Sequence, residues 1–185
     1  MTSDNRIAPI ADKDWPEDVA DLRAGFAGSL NVYRTMAHHP ELLRAWSGLR
    51  EHIVNHNALG RQRAELVILR TGFRLGSDYE WSQHVLRARK YGLDDARIET
   101  MRGAVGAMAP EDAVLATAVD ELFDNRALTA PTQDTLRGLV GTKGVFDLMA
   151  TVAFYCNLGF ILNTFAVPLD DDAMADIAAL PFGKG

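Results

Sequence analysis

The chain is 185 residues long, 48% apolar and 24% charged, with a formal net charge of -6 and a pI near 5.3. That length suits one domain with a sizeable core, and the composition is that of an ordinary soluble globular protein. The acidic balance argues against a nucleic-acid partner: Arg87, Arg89 and Lys90 form a local cluster, but nothing lays cations along a phosphate-tracking stripe.

Helical signals run along the whole chain. The first residues are polar and charged, without a basic start and an apolar block, so no signal peptide is expected. Asp14-Trp15-Pro16-Glu17 offers an N-cap, a proline just inside the start and a glutamate at the third position, which predicts a helix toward Gly28. Residues 31–37 read as a short helix. His39-Pro40 then opens one running to about Asn55, with Leu42, Leu43, Trp46 and Leu49 on a single stripe. His38 and His39 are tempting metal ligands, but adjacent residues point apart on a helix. No third ligand stands at metal-binding spacing, so no metal site is expected.

Residues 62–75 predict a helix ended by Gly76, and 77–91 another ended by Gly92. Asp94 caps a short helix through Arg102. After the 103–110 connection, Pro110 begins a helix to about Asn125, and Thr129 and Pro131 introduce the next, to about Leu139. The most apolar stretch, 145–167, carries Asp147, Asn157 and Asn163. It reads as a buried core helix over 144–166, not a membrane span, and stops before Pro168. Within it lies the single cysteine, Cys156, which reads as a small buried hydrophobe and excludes an internal disulfide, a Cys-pair redox motif or a Cys-pair zinc motif. A weak helix at 171–179 precedes a short tail. No strand-like alternation competes, so the fold class is all-α, and a cytoplasmic location with no membrane partner is expected.

Two of these helices carry candidate chemistry. Residues 64–69 are Ala, Glu, Leu, Val, Ile and Leu, apolar on every side except Glu65. A carboxylate buried there costs several kcal/mol unless it is partnered or raises its pKa, which makes Glu65 a candidate acid/base. A structural carboxylate tying down an arginine or a helix end is the competing reading. In the following helix Ser77, Glu80, Trp81, His84, Ala88 and Tyr91 share one face, and Glu80 and His84, four apart, can touch. A carboxylate beside an imidazole in a partly dry site holds the ring's tautomer and brings its pKa near neutrality. Against this, Ser77-Asp78-Tyr79-Glu80 is also a capping-box sequence, Trp81 suits a core position, and His84 suits a satisfied core histidine.

The stretch 65–92, with YEWSQH followed by ARKYGL, resembles the core motif of the carboxymuconolactone decarboxylase-like superfamily, which includes the alkylhydroperoxidase D proteins. NVYRTMAHHPELLRAW (31–46), ELVILR (65–70) and TVAFYCNLGFILNTFAVPL (151–169) are similar to other parts of it. The resemblance implies a compact helical bundle of the alkylhydroperoxidase D-like type over 30–170, with an N-terminal helical extension (1–29) and a C-terminal tail (171–185). In the peroxidase branch a glutamate is followed twelve residues on by CxxC, with a histidine four after the second cysteine. The glutamate falls on Glu65, the histidine on His84, and the two cysteines on Ser77 and Glu80. A serine and a carboxylate cannot run a thiol peroxidase cycle, so that activity is not implied.

The decarboxylase branch uses neither cysteines, metal nor organic cofactor. The resemblance therefore implies a cofactor-independent lyase or isomerase acting on a small carboxylated, aromatic-derived lactone or keto acid. In that reading His84 moves a proton while Glu65 and Glu80 orient and tune it. Ser77 and Trp81 face the substrate, and Arg70 or Arg74 neutralises its carboxylate, unless these arginines are simply solvated. Relatives assemble as dimers, trimers or hexamers, so a homo-oligomer is expected. The alternative is a non-catalytic small-molecule-binding or assembly module on the same fold.

Overall fold

Proline and glycine set many of the helix ends in the computed structural model, which describes residues 7–179. Two 3-10 turns, Asp12–Asp14 and Glu17–Val19, lead into α1 (Ala20–Arg23), α2 (Phe26–Ser29) and α3 (Asn31–Met36). Then come α4 (Pro40–Glu51), a π-helical turn (His52–His56), α5 (Arg61–Leu75), α6 (Asp78–Lys90) and α7 (Asp95–Thr100). A 3-10 turn, Val105–Ala107, precedes α8 (Pro110–Asn125), α9 (Ala130–Phe165) and α10 (Asp171–Ala179). No strand occurs among the described residues, in agreement with the all-α reading. Residues 1–6 of the expected extension and 180–185 of the expected tail lie outside the described residues.

Three expectations are corrected. The single helix toward Gly28 is instead a string of short turns: Trp15 and Pro16 are extended, and the path breaks again at Gly25. Side chains satisfy the backbone groups that a helix would have paired, with the Trp15 indole donating to the Val19 carbonyl and Arg34 donating to those of Gly28 and Ile10. On α4 the buried stripe is Leu43 and Trp46, continued by Ile53, while Leu42 and Leu49 are 38% and 45% exposed. At 100° per residue, Arg50 shares the inward face of Leu43 and Trp46, and Leu49 falls to its edge. Finally, α9 spans both C-terminal helices expected from the sequence. They meet at one non-helical residue, Gly141, whose φ of 70° suits glycine.

The centre of the molecule is α5, whose residues 64–72 are all buried and which packs against α6, α8 and α9. Leu66 and Leu69 join Leu115, Val119 and Leu148 in one core, and Ile68 joins Trp46, Phe154 and Leu158 in the other. Across its most apolar window α9 has a mean hydropathy of 1.7, enough by composition to cross a membrane, and half of that window is buried inside the protein. Phe146 and Phe160 on the same helix stay exposed.

The turn between α5 and α6 sets the site. Gly76, at φ 61°, ends α5 by donating to the carbonyls of Gly72 and Phe73, and Ser77 starts α6 at once. A Cβ on Gly72 would stand 3.3 Å from that of Glu80, so the two helices approach more closely than a side chain there would comfortably allow. That approach brings Glu65 to His84.

Candidate active site

Glu65 on α5 meets Glu80, His84 and Arg87 on α6. The His84 Nδ1 lies 2.5 Å from Glu65 Oε2, and its Nε2 lies 3.5 Å from Glu80 Oε2. Arg87 Nε stands 3.4 Å from the other Glu65 oxygen. All three acid/base candidates are buried, with 3–4% of each residue exposed. The edge of the His84 ring meets Tyr155 of α9, centroids 4.9 Å apart at 89°, which fixes the plane of the imidazole from a third helix.

Burial governs the protonation states. It pushes the Glu80 carboxyl up to about 8, with the Arg87 charge opposing and that of Glu65 assisting, so Glu80 is largely a neutral acid at pH 7. Burial lowers the pKa of His84, with Glu65 working the other way, which favours a neutral ring. A neutral ring that donates from Nδ1 to Glu65 leaves the lone pair on Nε2, facing Glu80. Burial also raises Tyr33 to about 12 and Tyr155 well above its ordinary value, so both remain phenols. The arrangement is a base and a neutral acid, held about one hydrogen bond apart and backed by a carboxylate.

Glu80, His84, Arg87 and Tyr155 border an inner cavity of about 100 Å³, also lined by Tyr33, Arg50 and Gln83, with Glu65 behind the His84 ring. Leu30, Gln83 and Arg87 line both this cavity and an outer groove of about 590 Å³ beside α10. Gln83 is tied at this junction to Asp170, which accepts from Gln83 Nε2 at 2.6 Å, Tyr79 OH at 2.5 Å and the Asn31 N–H at 2.7 Å. Among the described residues no group of three or more His, Cys, Asp or Glu side chains is arranged to hold a metal ion. His38 donates from Nε2 to the Ala8 carbonyl and His39 caps α4.

The other sequence candidates lie elsewhere. Ser77 caps α6, its hydroxyl accepting from the Glu80 N–H at 3.4 Å. The reciprocal half of the capping box does not form: the Ser77 N–H donates to the Gly72 carbonyl, which leaves the Glu80 carboxyl free to face the cavity. Trp81 is a core residue with the Arg102 guanidinium 3.9 Å over its ring. Arg70 and Arg74 do not line the His84 cavity, and both are engaged by Asp120. Arg70 also donates to the carbonyls of Met101 and Gly103, and Arg74 to Asp124. Cys156 packs half-buried against the first core, with its thiol pKa raised by burial.

The cavity's own cations, Arg50 and Arg87, were not among the sequence candidates. Arg50 was signalled by its place seven residues after Leu43 on the buried stripe. Arg87, three after His84, was hidden in a basic run that reads as a solvated face.

Residues 40–121 match the model of the Carboxymuconolactone decarboxylase family. The match covers somewhat less than half of the chain. The matched segment contains Arg50, Glu65, Glu80, His84 and Arg87, whereas Tyr33 and Tyr155 lie outside it. No curated protein matches the chain. Among solved structures, the alkylhydroperoxidase AhpD core of a peroxidase-related protein from Ralstonia eutropha JMP134 superposes with a TM-score of 0.74 at 18% identity. The match covers 90% of this chain and 94% of that one. A peroxidase-related protein from Silicibacter sp. TM1040 gives 0.75 at 13% identity, over 94% and 97% of the two chains. A cysteine-to-alanine variant of the debrominase Bmp8, in complex with 2,3,4-tribromopyrrole, gives 0.72 at 15% identity, over 94% and 96%. At these identities the likeness establishes the alkylhydroperoxidase D-like fold. The chain's sole cysteine does not line the His84 cavity.

Proposed function

We propose that the protein is a cofactor-independent acid–base enzyme, a lyase or isomerase acting on a small carboxylated keto acid or lactone. The observation that carries this reading is the His84 ring buried between Glu65 at Nδ1 and Glu80 at Nε2. Glu65 orients the ring and favours its Nε2-basic tautomer. His84 Nε2 takes a proton from a carbon next to a carbonyl. The electron pair moves onto the carbonyl oxygen, which takes the proton of Glu80, and an enol results. Where a second C=C is conjugated with the enol, isomerisation returns the proton from His84 to the far carbon of that dienol, the double bond moves next to the carbonyl, and the enol oxygen gives its proton back to Glu80. In decarboxylation the pair released by loss of CO2 follows the same path, and a solvent proton relayed through His84 completes the carbon.

The family match over 40–121 supports the class of chemistry, and the dimensions narrow it. An inner cavity of about 100 Å³ is smaller than the ~150 Å³ that holds a benzene ring. The reacting carbons therefore belong to a short segment, with anything larger extending past Gln83 and Arg87 into the outer groove. The test is deuterium uptake from D2O, followed by proton NMR across a panel of keto acids and lactones, with product analysis for CO2 loss. His84→Ala should lower the rate about 10²- to 10⁴-fold, and Glu65→Gln should lower it as well. Equal rates in the native protein and both variants would remove the mechanism.

A further inference from the structure

The inner cavity contains more positive charge than its acid–base groups use. Arg87 is paired with Glu65. Arg50 has no carboxylate within ion-pair distance among the described residues, and its Nε is buried without a hydrogen-bond partner. Its guanidinium lies over aromatic faces, 4.0 Å over the Phe26 ring and 5.7 Å from that of Tyr33, and is hydrogen-bonded with the Tyr33 hydroxyl. Glu80 Oε1, in the same cavity and 97% buried with its residue, is likewise unpartnered. A buried Nε–H left unpaired is expensive unless something else completes it.

We propose that Arg50 is the anchor for the carboxylate of a short monoanionic acid bound in the inner cavity, across from the Glu65–His84–Glu80 row. The subsite deepens the acid–base reading and rests on it for its link to catalysis. Charge supports a monoanion: Glu65 and Arg87 offset each other, His84 and Glu80 are neutral, and one cation is left over. Arginine presents a planar fork that suits a carboxylate, and rings stacked on its face leave its edge free to donate. The anchor also chooses between reactions. A carboxylate gripped by a guanidinium is stabilised as an anion and is a poor source of CO2. The anchored group is therefore a handle, the proton moves elsewhere on the acid, and isomerisation is the favoured reaction for a monoacid.

The test uses the full chain and sodium butyrate, with butyramide as its uncharged isostere, in titration calorimetry at pH 7. Butyrate should bind and butyramide should bind at least about 30-fold more weakly, the ratio expected when about 2 kcal/mol of charged pairing is lost. Arg50→Met should erase the preference, and Arg50→Lys, which keeps charge but not the fork, should retain part of it. Circular dichroism checks that each variant is folded. If Arg50→Met does not fold, Arg50→Lys decides, and unchanged butyrate affinity in it overturns the anchor. Equal affinity for acid and amide in the native protein also overturns it. His84→Ala separates the two ideas, since butyrate binding should persist there while deuterium uptake is lost. Arg50-dependent butyrate binding without any turnover would leave the anchor standing and remove the enzyme. Turnover that needs His84 but not Arg50 would do the reverse.

Discussion

The two sides of the α5–α6 hairpin contain the same ingredients and assemble them differently. Around Asp120, Arg70 and Arg74 meet two carboxylates and two backbone carbonyls. Around His84, the Glu80 carboxyl, two arginines and three phenols line a cavity where Arg50 Nε and Glu80 Oε1 have no partner. The first cluster ties α5 to α8 and to the turn after α7. The second leaves those two polar atoms unpaired. Sequence position alone does not separate an arginine of one kind from the other; the completeness of its partners does.

The sharpest way to break this contrast is to remove the arginine that is fully engaged. Arg70→Met strips partners from Asp120 and the Met101 and Gly103 carbonyls. It should cost about 3–5 kcal/mol in urea unfolding and leave butyrate affinity of the folded fraction unchanged. If affinity falls with little loss of stability, the two clusters have been assigned the wrong way round.

Glu80→Gln should act in the opposite direction. Unfolded, the Glu80 carboxyl titrates near 4.5; folded, it titrates near 8. Between those values the folded state binds the extra proton, so the native protein should lose stability as pH rises through that window. The glutamine removes this penalty, a gain of roughly 3 kcal/mol at pH 7 that should fade to nothing at pH 4. A Glu80→Gln variant whose advantage does not grow with pH would show that the carboxyl is already ionised in the native state.

The smallest expected effect is that of Gly72→Ala. Its new Cβ sits 3.3 Å from that of Glu80, so α6 must shift by a few tenths of an ångström. Stability should fall by about 1 kcal/mol, at the low end for overpacking, and deuterium uptake should fall by more than that loss alone would give. Thermal unfolding beside the exchange assay checks both.

Much of this fold was legible because its helix ends are written in single residues. Gly76 and Ser77, Asp94, Pro110 and Thr129 all stand where the sequence reading placed them. The N-terminal segment was not, because its turns are held by Trp15 and Arg34 reaching distant carbonyls, which no local pattern encodes. The meeting of Glu65, Glu80 and His84 could be anticipated: an isolated acid on an all-apolar helix and an i,i+4 acid–imidazole pair are local signals. Arg50 and Tyr155 come from other helices, α4 and α9. The Leu43–Trp46 stripe points toward Arg50, but an arginine on an apolar stripe is easily set aside in favour of the neighbouring Leu49.

Asp170 has one more consequence. It clasps three residues from two parts of the chain, Asn31 on α3 and Tyr79 and Gln83 on α6, yet lies almost fifty positions beyond the end of the family-matched segment. Excising 40–121 as a portable module would therefore remove one wall of the chamber and its clasp together. Grafting this chemistry onto another scaffold requires the flanking helices as well, since the smallest transplantable piece is defined by the clasp and not by the motif.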